Sequence, residues 1–258
     1  MSKEDRQPVQ RNDSHSASPL TGKTALVTGA SRGIGRAIAL RLAALGAGLL
    51  LVARDEQALG EVQQQIAAAG GSADVLLCDL TSSSQIAKIA GEIDSAGGCD
   101  ILVNAAGIGK LGPPLHEMLV EDFDFVLATN LRAPFLLFRA TVPHMIKRGG
   151  GHIVNISSLA GQSPLPNGAA YSASKWALNG LSYSAAEELR AHNIRVSVIA
   201  PGSVNTEFGY DRQSSAGKVK DTSKMLQPED IAGVVALLVT QPPQSFISEV
   251  KMRPTQKP

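Results

Sequence analysis

Residues 24–46 read TALVTGASRGIGRAIALRLAALG. A short apolar run, TALVT, passes into Gly29, Gly33 and Gly35, and then into an apolar pattern of helical period that stops at Gly46. Strand, glycine turn and helix in that order predict the opening of a βαβ unit. The alternation continues. GLLLVA (48–53) reads as a strand, and 55–70 as a helix with Asp55 at its N-cap and Gly70 as its stop. Further strands are predicted at 74–79, 100–107, 150–158, 193–202 and 246–252. Further helices are predicted at 82–97, 117–148, 171–192 and 227–240, the third of these the longest without interruption. The helix at 117–148 is expected to be interrupted around Ala133-Pro134, and Pro228 falls near the first turn of the last one. Strands that are almost continuously apolar and separated by helices predict a parallel sheet covered on both faces. The expected fold is a doubly wound α/β domain over residues 20–258, with seven strands. Such sheets bind ligands at the carboxyl ends of their strands.

With 258 residues, 43% hydrophobic and 18% charged, the chain can bury a sizeable core. A net charge of +1, with both signs mixed along the chain, argues against nucleic acid or an anionic membrane as partner. Cys78 and Cys99 read as free thiols, and no set of residues has metal-ligand spacing, so no metal is expected. The apolar run at 42–53 is too short to span a bilayer, and the N-terminus lacks an apolar signal region. The expected location is cytoplasmic. Residues 1–19 are polar, contain two prolines, and read as a mobile tail.

Glycines at a strand-to-helix junction serve two ends. They permit the tight turn, and they let backbone N–H groups approach a pyrophosphate at the positive end of the helix. The spacing G-x-x-x-G-x-G thus predicts a nucleotide turn built on Gly29, Ser31, Arg32, Gly33, Ile34 and Gly35. An acid at the end of the second strand would bind a ribose 2′-hydroxyl and select NAD. Ala53 stands there instead, followed by Arg54, with Arg32 inside the glycine turn. Two guanidiniums suit a 2′-phosphate, so NADP(H) is expected over NAD(H). Asp55 is better explained as a helix cap.

YSASK (171–175) puts a phenol and an ammonium on one helix face, a turn apart. An ammonium there favours the phenolate, so the Tyr171 pKa is expected to fall toward the range useful for acid–base catalysis.

Taken together these motifs resemble the classical short-chain dehydrogenase/reductase family over about residues 20–240. TGASRGIG resembles its nucleotide turn, and Asp79-Leu80 in CDLT its adenine contact. Asn104, Ala105, Ala106 and Gly107 match its NAAG element. Pro201, Gly202, Val204 and Thr206 lie in its PGxxxT turn. Asn130, Ser158, Tyr171 and Lys175 match its catalytic set. Ser158 precedes Tyr171 by thirteen residues, the family interval, which Ser157 fits less well. The resemblance implies a Rossmann-type fold and hydride transfer between nicotinamide and a small carbonyl or secondary alcohol. Ser158 would polarise the carbonyl, Tyr171 exchange the proton, Lys175 hold the ribose and Asn130 orient a water. It also implies a homodimer or homotetramer built partly on the small-residue helix from Ala169 onward. Members include 3-oxoacyl-carrier reductases. The ending FISEVKMRPTQKP instead resembles a branch with 3-hydroxy acid and serine dehydrogenases. The rival reading is a catalytically silent NADP(H) sensor, which an incomplete catalytic set would favour.

Walls of the substrate pocket are expected from 108–116, 159–168 and 203–226, with 207–226 as a lid. Arg212, Lys218, Lys220 and Lys224 read as solvated charges before they read as contacts to an anionic substrate. His144, His152 and His192 are isolated and carry no predicted role. Trp176 reads as packing or interface.

Overall fold

Seven apolar runs become strands: Thr24–Thr28 (β1), Gly48–Ala53 (β2), Ala73–Leu77 (β3), Ile101–Asn104 (β4), Gly151–Ile156 (β5), Ile194–Pro201 (β6) and Glu249–Met252 (β7). In this computed structural model, which describes residues 18–208 and 221–256, they form one sheet of order β3-β2-β1-β4-β5-β6-β7. Every pairing is parallel. The expected N-terminal tail lies almost wholly outside the described residues, as do 209–220 of the expected lid.

Helices Gly33–Ala44 (α1), Glu56–Ala68 (α2), Ser83–Ser95 (α3), Val120–Leu127 (α4), Ala133–Lys147 (α5), Ala169–Leu189 (α6) and Pro228–Val239 (α7) make the crossovers. Asp55 caps α2 by accepting from Ala58 N, and Ser82 caps α3 by accepting from Gln85 N. Ile38, Leu42, Leu59, Ile66 and Val235, from α1, α2 and α7, cover one sheet face. Ile86, Ile93, Leu137, Met145 and Ala185, from α3, α5 and α6, cover the other. Both faces are therefore dry, which is why the strands carry no polar alternation.

β3, β4 and β5 end at Leu77, Asn104 and Ile156, short of the expected 79, 107 and 158, and two further differences stand out. No break occurs at Ala133-Pro134: a π-turn over Ala128–Arg132 joins α4 to α5 without interruption. The proline sits in the first turn of α5, and the wider turn absorbs the register that a missing N–H disturbs. It also turns Thr129 and Asn130 inward. The resulting span, Val120–Lys147, is long and apolar enough to cross a membrane by length and composition. Its side chains Val126, Leu137, Phe138 and Met145 are instead buried in the fold. β7 starts at Glu249 rather than at Phe246. The residues before it are held by side chains: Ser197 Oγ donates to Ile247 O at 2.6 Å, and Arg195 Nη1 donates to Ser245 O at 3.0 Å.

The amino end of the sheet is tied at Asp100, whose side chain is 7% exposed. Its carboxylate accepts from Thr24 N at 2.9 Å, from Lys23 Nζ at 3.0 Å and from Arg148 Nε at 3.1 Å. Asp100 lies at the opposite end of β4 from Asn104, so it should matter to stability and not to chemistry. Asp100→Ala is expected to lower the unfolding free energy by about 2–3 kcal/mol in denaturant titration, with turnover per folded molecule unchanged.

Candidate active site

The strand order reverses between β1 and β4, and the chain leaves both strands in opposite directions there, opening a crevice. Thr28, at the end of β1, stitches the two strand ends together. Its Oγ1 accepts from Ala105 N at 3.1 Å and Ala106 N at 3.2 Å, and donates to Val103 O at 3.3 Å. Gly29 follows at φ +66°, and a Cβ on it would stand 2.9 Å from Ala106 Cα. A Cβ on Gly35 would collide with the Gly29 carbonyl. Only glycine lets the turn fold this tightly against the end of β4. At Arg32, the residue before α1, no side chain caps the helix, so its first amides are left for an outside acceptor.

A cleft of about 1430 Å³ runs from the ends of β2 and β3 across this turn to α6. A glycine cradle, an uncapped helix start and an elongated cleft fit a dinucleotide with its pyrophosphate on α1. Every nominated cofactor residue lines the cleft except Asn104. Asn104 is 2% exposed and donates to Asn155 Oδ1 at 2.8 Å, and Asn155 in turn donates to Ser182 Oγ of α6. Its Nδ2 is engaged beneath α6 and its Oδ1 is buried with no hydrogen-bond partner among the described residues, so the cleft is met by its successors Ala105–Gly107. At the far end, hydrogen bonds from Thr81 N and Oγ1 hold the Asp79 carboxyl below its usual value, with help from the Arg54 charge. Asp55 lines the cleft and uses one carboxylate oxygen as the α2 cap. Arg32 reaches across the mouth to Glu207 at 2.8 Å, with both side chains largely in solvent.

At the other end, Tyr171 and Lys175 occupy the first turns of α6 and are buried. Lys175 Nζ donates to Ile156 O at 2.9 Å and stands 5.8 Å from the Tyr171 ring centre. Burial pulls this ammonium down to about 8. The phenol does not follow the expected direction. Burial pushes the Tyr171 pKa up, and a hydrogen bond with the Ser158 side chain opposes it. Taking a phenolate out of water costs more here than Lys175 returns from the far side of the ring.

Ser158 lies just after β5, and its Oγ also accepts from Ala160 N at 3.1 Å. The hydroxyl of its neighbour Ser157 is committed to Asn179 Oδ1 at 2.6 Å. Asn130 does not line the cleft. Its Oδ1 accepts from Ile108 N, and its Nδ2 donates to Ile108 O and to Ser174 Oγ. Both amide hydrogens are therefore used within the protein, and the side chain pins the Gly107-Ile108 turn to α6.

The expected wall loops contribute Leu111, Ser163, Leu165, Phe208 and Met225. The Phe208 ring lies 5.4 Å from that of Tyr171, tilted by 50°. Lys224 pairs with Asp221 at 3.2 Å and is absent from the lining, while Arg212, Lys218 and Lys220 lie outside the described residues. His144, His152 and His192 do not line the cleft. Sequence reasoning missed Phe125, Thr129 and the segment Arg253–Gln256, all of which line it. The last could have been found. β7 lies beside β6 and parallel to it, so the residues after β7 must emerge at the same edge as the Pro201-Gly202 turn.

The sequence profile described as short chain dehydrogenase matches residues 23–216. An uncharacterized oxidoreductase of Staphylococcus epidermidis is 36% identical over 233 residues, covering 90% of this chain and 97% of that one. The human dehydrogenase/reductase SDR family member 4 is 35% identical over 230 residues, 86% of this chain and 83% of its own. Among solved structures, a metagenomic short-chain oxidoreductase in complex with NADP is 53% identical, with a TM-score of 0.81 over 93% of this chain and 100% of that chain. The protein is thus an NAD(P)-dependent oxidoreductase, and the chain belongs to the short-chain dehydrogenase/reductase family.

Proposed function

We propose that the chain interconverts a small carbonyl compound and the corresponding secondary alcohol with NADP(H), using Ser158, Tyr171, Lys175 and Asn130. The observation that carries this is the convergence of Ser158 and Tyr171 beside a buried Lys175 at one end of the cleft, with Ser158 near enough to oppose the rise of the Tyr171 pKa. Lys175 and the turn at 201–206 would hold a bound nicotinamide, which would supply hydride to the carbonyl carbon or accept it from the alcohol carbon. Ser158 Oγ donates a hydrogen bond to the substrate oxygen and stabilises the charge that develops on it. Tyr171 passes its phenolic proton to that oxygen. Lys175 uses one N–H on Ile156 O, which leaves two for the ribose hydroxyls, and its charge stabilises the phenolate left behind. Asn130 acts by position, holding the Gly107-Ile108 turn against α6. A complete set of four argues for chemistry rather than for a silent sensor.

Preference for NADP(H) is supported by Arg32 and Arg54 at the adenosine end, by the engagement of Asp55 as a cap, and by the NADP named with the 53% identical structure. A homodimer or homotetramer is supported by α6. Its buried face carries Tyr171, Ser174, Lys175, Leu178 and Ser182, while Trp176 and Tyr183 are 54% and 42% exposed on the outward side among Ala173, Ala177 and Gly180. Small residues there permit close approach of a second copy. The free, buried thiols Cys78 and Cys99 suit a cytoplasmic location. Among substrates, 3-oxoacyl thioesters and hydroxy acids fit the reaction class.

Tyr171→Phe is expected to lower kcat for NADPH-dependent ketone reduction by about 10²-fold or more, with NADPH affinity retained within about 2-fold in a fluorescence titration. Turnover left near the parent level would remove Tyr171 from the mechanism. Arg54→Ala is expected to raise KM for NADPH about 10-fold and to leave that for NADH nearly unchanged, as steady-state kinetics with both cofactors would record.

A further inference from the structure

Five cations line the cleft. Arg32 pairs with Glu207, Arg36 donates to Gln65 Oε1 at 2.7 Å, and Lys175 bonds Ile156 O. Arg54 and Arg253 make no hydrogen bond or ion pair to any described residue; the Arg54 charge acts on Asp79 at the β2–β3 end, whereas Arg253 follows β7.

Its place in the fold is well defined. β7 pairs with β6 so that Met252 lies beside Pro201, and Gly202 N donates to Met252 O at 2.8 Å. A Cβ on Gly202 would stand 3.2 Å from both Leu159 Cδ1 and Pro254 Cδ. The end of the chain therefore meets the Ser158 turn at Gly202, at the reacting end of the cleft. Arg32, Arg36 and Arg54 belong to the other end, around the glycine turn and β2. Near Tyr171 the walls are apolar: Phe208 lies against its ring, and Leu111 and Leu165 close over Gly168. Arg253, exposed at this end, lines the same cleft as the apolar wall and the Ser158 and Tyr171 hydroxyls.

We propose that Arg253 anchors a carboxylate on the substrate, and that the substrate class is a ketone-bearing or secondary-hydroxyl-bearing carboxylic acid. A guanidinium presents paired N–H donors in the geometry of a carboxylate. The carbon chain between the two functional groups lies along the apolar wall, which sets the reacting carbon at Ser158 and Tyr171. This inference rests on the carbonyl–alcohol reading above.

The test uses 3-oxobutanoate and 5-oxohexanoate, each beside its methyl ester, with NADPH. The parent protein is expected to favour the acid over the ester by about 10-fold or more in kcat/KM. In Arg253→Gln that preference is expected to fall by about 10- to 100-fold, with Arg253→Lys between the two. An unchanged preference in Arg253→Gln overturns the proposal. So does an equal loss on acid and ester accompanied by weaker NADPH binding, which would assign Arg253 to the cofactor. Calorimetric binding of the same acids and esters to Tyr171→Phe with NADP⁺, with and without Arg253→Gln, reads the preference without turnover. Acid binding lost only with Arg253 supports the anchor even if neither ketone is reduced; acid and ester binding alike with Arg253 present overturns it.

Discussion

The cleft depends on how closely the turn after β1 can approach the end of β4. Gly29 packs against Ala106 and Gly35 against the Gly29 carbonyl, with no room for a Cβ at either contact. Thr28 then closes the gap with three hydrogen bonds from one hydroxyl. A side chain at Gly35 would push α1 away from the sheet, and the uncapped amides of α1 would no longer face the crevice. The same contact sets the height of Ala105–Gly107, which form the floor on the β4 side. Geometry at one backbone contact thus fixes both the anion site and the floor on which the dinucleotide would rest.

A second constraint acts at α6. Most helices that cover a sheet do so with Leu and Ile, yet the buried face of α6 is Tyr171, Ser174, Lys175, Asn179 and Ser182. Such a face is tolerable only if its polar atoms are paired. They are: Ser174 Oγ donates to Tyr171 O, Asn179 Nδ2 to Gly161 O, Ser182 Oγ to Leu178 O and Lys175 Nζ to Ile156 O. The links to Asn104, Asn130 and Asn155 carry this pairing into the sheet and the π-turn. The helix is therefore located by directional bonds rather than by fluid apolar packing, which holds the phenol and ammonium in place. This also explains why Asn104 and Asn130 stay off the cleft surface: their amides are needed underneath it.

Much of this was legible in the sequence because its signals are local. Apolar runs bounded by glycine marked β1 and β2 to the residue, and Asp55 announced α2 as its cap. The glycine turn before α1 and the placing of Tyr171 and Lys175 on one helix were legible for the same reason, since each lies within one turn or one helix. What was not legible depends on contacts distant in the chain. Which face of α6 looks outward is decided by the sheet beneath it. The start of β7 is decided by Arg195 and Ser197, some fifty residues earlier, which take carbonyls that a ladder would otherwise use. Arg253 enters the cleft only because β7 runs parallel to β6, a fact of topology and not of composition.

The direction of the Tyr171 titration shows where spacing alone misleads. Four residues on a helix place the ammonium near the phenol, and Coulomb attraction alone would favour the phenolate. Both groups are also dry, and desolvation opposes charge on each, raising the phenol and lowering the ammonium to about 8. Near neutral pH the amine then remains largely protonated and the phenol keeps its proton, which is the state needed to protonate a carbonyl reduced by hydride. The reverse reaction needs the phenolate, which burial disfavours. An added positive charge beside the ring, as an oxidised nicotinamide carries, acts against that penalty and in the same direction as Ser158 and Lys175. On the proposed mechanism, desolvation would set the buried pair for reduction, and an oxidised cofactor beside it would be needed for oxidation, so one phenol would serve both directions from a single position.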